Sequence, residues 1–190
     1  MARYAKEHKQ VTRQRIIDKA GLRFKQDGVD GSGISTLMSD AGLTNGAFYA
    51  HFASKDDLVA NVLADELRTQ LERCGTLRPG RPGLEDFVRE YLSAEHRDNA
   101  GLGCPSAALL DEIGRCGDET KRAYTGGSRA IVEEIAARLA PEDPGSARGS
   151  ALGLFTMMVG TLQLSRALSD QKFADEVLER GVENALTLMS

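Results

Sequence analysis

Apolar residues recur along this chain at spacings of three and four far more often than at two, and no strand-like alternation persists, so the pattern predicts an all-α protein. Ile16, Ile17, Ala20 and Phe24 follow the helical period after Thr12, a capping residue, and Gly28 is placed to end that first helix in a left-handed turn. Ile34, Leu37, Met38 and Ala41 form the stripe of a short second helix closed by Gly42. Thr44 caps a third, and Ser54 stands three residues before Asp57, the spacing of a capping box, at the start of a fourth that carries Val59, Leu63, Leu67 and Leu71 in one row. Beyond the glycine- and proline-dense loop at 75–83, further helices are predicted near 84–97, 105–116, 118–139, 146–169 and 171–189, about nine in all.

Charge alters this picture by dividing the chain. The net charge is -4, yet residues 1–55 hold nine Lys or Arg against five acids, leaving the acidic excess to the remainder. A basic head on an acidic body points to a polyanionic partner for the head, although a solvated basic helix has the same composition. Three cysteines, Cys74, Cys104 and Cys116, without a Cys-x-x-Cys pair support neither a disulfide framework nor a zinc knuckle, and no metal or cofactor is called for. The amino-terminal MARYAKEHKQ lacks the apolar stretch of a secretion signal, which fits a cytoplasmic protein. The uncharged run between Arg148 and Arg166 is diluted by glycine, serine, threonine and Gln163, so it reads as a buried helix and not a membrane span.

The segment GLTNGAFYAHF at 42–52 gives the basic head its chemistry. A helix, a tight turn at Gly42-Leu43 and a second short helix make a helix-turn-helix. Phe48 and Phe52 are spaced to anchor the second helix, while Asn45 and Tyr49 share the neighbouring, outward face. The start of that helix offers free amides and the Thr44 hydroxyl to phosphate. Asn45 suits a bidentate contact to adenine, Gly46 and Ala47 allow close approach to the groove floor, and Tyr49, His51 and Lys55 can meet phosphates. Each of these residues taken singly has an ordinary structural reading; their occurrence together favours a DNA groove.

The runs TRQRIIDKAGLRFKQDG, AGLTNGAFYAHF and SKDDL, within Thr12 to Leu58, resemble the amino-terminal domain of TetR-family transcriptional regulators of bacteria. GCPSAALLDEI, from Gly103, resembles the effector domain of the branch that contains LmrA- and YxaF-like repressors. The resemblance implies a three-helix DNA-binding domain at 1–53 and a helical domain for effector binding and dimerisation at 54–190. By the same resemblance, Ser35, Thr36, Thr44, Asn45, Gly46, Ala47, Tyr49, His51 and Lys55 occupy positions that contact a double-stranded DNA operator. The function implied is that of a homodimeric repressor released by a small, largely apolar effector.

Two features of the body agree with that implication. Gly153, Gly160 and Ala167 recur every seven residues as a small-residue seam, against which Val177, Gly181, Val182 and Ala185 of the last helix complete a symmetric four-helix contact. Tyr91, Tyr124, Phe155, Met157, Met158 and Gln163 mix apolar bulk with polar tips, as ligand chambers do, although each is also ordinary core material. Two other classes stay in play: a helical ligand-binding protein without DNA function, and an enzyme using Cys104 with His8, His51 or His96.

Overall fold

In the computed structural model, which describes residues 2–189 and side chains from Glu7, the chain folds into nine α-helices and two 3-10 segments, with no strand among the described residues. The head consists of α1 (Ala2–Asp27), α2 (Ile34–Asp40) and a 3-10 segment, Asn45–Ala50. The body follows with α3 (Lys55–Thr76), α4 (Arg81–Tyr91), α5 (Ala94–Asp98), a 3-10 turn at Ala100–Leu102, α6 (Pro105–Arg115), α7 (Asp118–Leu139), α8 (Arg148–Ala167) and α9 (Gln171–Leu188). Most helices fall close to their predicted places; the exceptions are the start of α1, the 3-10 segment where a third helix was expected, and the stretch read as 84–97, which divides at Leu92 into α4 and α5.

Two expected helix starts are corrected. Thr12 caps nothing: α1 begins ten residues earlier, at Ala2, because 2–11 contains neither glycine nor proline to stop it, and the buried Thr12 hydroxyl lies 3.3 Å from His8 Nδ1 instead. Thr44 likewise makes no side-chain cap, and the segment after it is a 3-10 helix of six residues, too short and too rich in poor helix formers (Asn45, Gly46) to settle into an α-helix. Other local signals hold. Gly28 and Gly42 take positive φ, 79° and 67°, where a side chain would be strained. Ser54 Oγ accepts the Asp57 N–H at 3.1 Å, while the Asp57 carboxylate reaches back to the Ala53 N–H at 2.8 Å.

Two apolar cores organise the chain. The first gathers Ile16, Phe24, Leu37, Phe48 and Phe52 of the head around Leu58, Val59, Val62 and Leu63 of α3, and it also takes in Leu109 and Ile113 of α6. The second lies within the body and includes Leu67, Leu84, Phe87, Ile131, Ile135, Leu154, Met158, Leu162 and Leu178. Helix α3 therefore threads both cores. The head is held by side-chain bridges as well: Arg23 forks onto Asp40 at 2.8 and 3.0 Å, fixing α1 on α2, and Glu112 of α6 accepts the Val29 N–H at 2.6 Å.

Candidate nucleic-acid interface

Phe48 and Phe52, 0% and 2% exposed with ring centroids 5.7 Å apart, pin the 3-10 segment to the head core. Their burial fixes which side chains are left outside. Thr44, Asn45, Gly46 and Tyr49 are exposed, Tyr49 at 70%, and Ala47 is half-buried. Ser35 and Thr36, in the first turn of α2, are exposed too. A Cβ at Gly46 would meet nothing within 4 Å, so the outward surface there is bare backbone. His51 and Lys55, both half-buried, close the row at the start of α3.

Sequence reasoning missed two neighbours of this row. Burial, then the charges of Lys9 and Arg13, hold the His51 imidazole below its usual pKa, so it is mainly neutral near pH 7. Its Nδ1 is buried with no hydrogen-bond partner, and the Arg13 guanidinium sits 4.7 Å from the Phe52 ring centre. Lys9 and Arg13 thus bring cations from α1 to the edge of the reading segment. The signal was present in sequence as an i, i+4 pair, but only with α1 extended to Ala2 does that pair sit on a formed helix.

Tyr91, Tyr124, Phe155, Met157 and Met158, expected as ligand residues, share the body core, but they do not line one cavity together. Phe155 and Met158 pack into the body core, Met157 beside them, and Tyr124 donates its hydroxyl proton to Ser106 Oγ at 3.0 Å. Gln163 faces a separate recess with Lys25 and Arg166. Of the set only Tyr91 lines the larger cavity, about 790 Å³, which lies at the boundary of head and body between α1, α3, α4 and the 99–105 connection. Lys25 spans that boundary, bonding Glu66 Oε1 at 2.7 Å and the Gly103 carbonyl at 3.1 Å. Here Cys104 is buried, its Sγ 3.4 Å from Gln70 Oε1. His96 is committed elsewhere: Nε2 accepts the Cys104 backbone N–H at 3.1 Å and Nδ1 meets the Tyr91 carbonyl at 2.7 Å, so it forms no pair with the thiol.

The small-residue seam divides in the same way. Gly160 and Ala167 are exposed and Gly153 is half-buried, but Gly181 and Ala185 are buried inside the chain and Val182 packs on the body core. The reason is steric. A Cβ on Gly181 would lie 2.5 Å from Thr161 Cγ2, so this glycine is where α9 closes on its own α8. The outward surface of α8 is instead an uncharged strip of Leu152, Thr156, Gly160, Leu164 and Ala167, and α9 adds Phe173, Val177 and Leu188 with the exposed Arg180 between them; Leu152, Leu164, Phe173 and Leu188 are each between 42% and 51% exposed. Among the described residues no helix is long and apolar enough to cross a membrane.

An exposed polar row on a turn-linked short helix, carried ahead of a larger helical body, defines a helix-turn-helix protein. Residues 12–62 match the family model of bacterial regulatory proteins, tetR family. Over these residues, the head and the start of α3, the chain is similar to that family. It is 42% identical over 62 residues to the HTH-type transcriptional regulator AcrR of Shigella flexneri, a match covering 33% of this chain and 29% of that protein. It is 30% identical over 94 residues to the probable acrEF/envCD operon repressor of Escherichia coli strain K12, over 50% of this chain and 36% of that one. The chain thus spans about a third of the length of these relatives. In fold the likeness runs further: the reduced form of NemR from E. coli superposes with a TM-score of 0.79 over 92% of this chain and 94% of that one, at 19% identity.

Proposed function

We propose that the chain is a transcriptional repressor that binds a palindromic DNA operator as a homodimer and is released by a small, largely apolar effector. Within it, 1–53 reads DNA and 54–190 dimerises and binds the effector, and the resemblance of the run GCPSAALLDEI favours the LmrA- and YxaF-like branch. The reading face supports this most directly: Ser35, Thr36, Thr44, Asn45, Gly46 and Tyr49 are exposed together, held from beneath by two buried phenylalanines. Asn45 reads a base edge, Gly46 and Ala47 let the backbone approach, and Tyr49, His51 and Lys55 meet phosphates.

The uncharged strip on α8, with its neighbours on α9, supplies the dimer contact. Gly153, Gly160, Ala167 and Val177 keep their assigned part, joined by Leu152, Leu164, Phe173 and Leu188, while Gly181, Val182 and Ala185 act within one protomer. A two-fold pair of such heads suits half-sites about one helical turn apart. The test is selection of bound duplexes from a random DNA pool. The expected outcome is enrichment of a palindrome with that spacing; a pool that stays random at low salt removes the proposal.

A further inference from the structure

Helix α6 belongs to both cores. At its start Ala107 lies in the body core, the Ser106 hydroxyl accepts from Tyr124 at 3.0 Å, and Arg166 of α8 bonds the Ala107 carbonyl at 3.3 Å. From Leu109 onward its buried side chains change sides: Leu109 and Ile113, 2% and 3% exposed, lie in the head core. The eleven residues of α6 thus tie the head to the body at a point other than the covalent one through α3. Apolar contact is not directional, so Leu109 and Ile113 hold the head on without fixing its angle.

One group in this contact is directional. Gly28 closes α1 in its left-handed turn with its own N–H on the Phe24 carbonyl at 2.8 Å, which leaves the next N–H, that of Val29, without a carbonyl of its helix. Glu112 takes it, Oε2 accepting at 2.6 Å. Val29 is 8% exposed, so without Glu112 this donor is buried and unmet. Gly28 also makes the room: a Cβ there would stand 2.5 Å from Glu112 Oε1. The needs of α6 do not account for the acid. Glu112 lies in its last turn, where the helix dipole disfavours negative charge, and among the described residues it forms no ion pair, the neighbouring Arg115 being held by Asp111.

We propose that Glu112 is the positioning residue that sets the angle of the reading head on the body, and through that angle the separation of half-sites a dimer accepts. A hydrogen bond to a charged acceptor is strong and weakens steeply when bent, so it opposes a rotation of the head that the contact across Leu109 and Ile113 tolerates. The device acts in the chain alone and needs no ligand. One added base pair turns a half-site by about 35° around the duplex, so two heads held at one angle reject it and two loosely held heads follow it. The spacing consequence rests on the proposed function; the head angle does not.

The test compares the parent with Glu112→Gln, whose amide oxygen still accepts the Val29 N–H, and with Glu112→Ala, which leaves Leu109 and Ile113 in place. Residual dipolar couplings of backbone amides, measured without DNA, should fit one alignment for α1 and α2 together with α7 and α8 in the parent and in Glu112→Gln. In Glu112→Ala the head should need its own, weaker alignment, and the Val29 amide should exchange with solvent about tenfold faster while that of Phe24 is unchanged. On DNA, the selected palindrome is set against versions with one base pair added or removed between the half-sites. The parent should discriminate by about tenfold or more and Glu112→Ala by less than about threefold, with equal affinity for an isolated half-site. Should the alanine variant not fold, Glu112→Met, of similar bulk and without the acceptor, takes its place with the same reading. A single alignment kept in the variant that lacks the acceptor, an unchanged spacing ratio, or Glu112→Gln behaving like that variant each overturns the proposal. A parent that selects no palindrome sinks the regulator reading instead, and the couplings then decide the head angle by themselves.

Discussion

Asn45 and Lys9 both belong to the proposed DNA face yet do different physical work, and mutation separates them. An amide that grips a base edge through two hydrogen bonds discriminates between sequences, so Asn45→Ala is expected to cost about 1–3 kcal/mol on the selected operator and to relax preference at one position, read by competition with single-base variants. A lysine on a phosphate releases counterions whatever the sequence. Lys9→Ala should weaken all duplexes alike and reduce the slope of log K against log salt by about one, a fluorescence-anisotropy measurement, and Lys55→Ala should do the same. Asn45 was legible in the sequence because its spacing from Tyr49, away from Phe48 and Phe52, fixes its face. Lys9 was not, because its value depends on His51 and Phe52 folding back against α1, a contact between segments some forty residues apart.

At the level of elements, capping and buried imidazole set measurable terms. Ser54 is the only predicted hydroxyl cap that forms with its acid partner as expected, so Ser54→Ala should lower stability by about 1 kcal/mol in denaturant unfolding, whereas Thr44→Ala should leave it within experimental error. His96 joins α5 to the start of α6 as a neutral ring, accepting one backbone N–H. Burial, the largest influence, lowers its pKa below 6.5, partly offset by the Tyr91 carbonyl. The unfolded chain then binds the proton more readily, so the stability His96 contributes is full above about pH 6.5 and is lost as pH falls toward the lower folded value. Melting temperature should drop between pH 7.5 and 5.5 by more in the parent than in His96→Gln, and an equal drop would assign the pH dependence to other groups.

For the whole molecule the decisive surface is the uncharged strip. A Cβ at Gly160 meets nothing within 4 Å in the single chain, so Gly160→Arg leaves the protomer fold intact and puts a charge into the proposed contact. Sedimentation should show a monomer, and affinity for the palindrome should fall because two heads no longer share one binding event; a variant that stays dimeric removes the strip from the interface. Gly181→Ala behaves oppositely. With Thr161 in the way it should destabilise the chain itself.

Period and turn are local properties, and the sequence by itself therefore determined the all-helical class, the places of most helices though not the start of α1, the turn at Gly42 and the outward row of the reading segment. Tertiary structure alone decided which faces of amphipathic helices meet each other. Gly181 and Ala185 turned inward because α9 closes on α8, while Phe173 and Leu164 were left outside. Tyr91 shares the body core with Tyr124, Phe155 and Met158 but alone of them also lines a cavity walled by Leu22 of the head. A helix with apolar residues on several sides states only that burial is needed; which neighbour provides it depends on the packing of segments far apart in the chain, where no residue's own spacing carries the information.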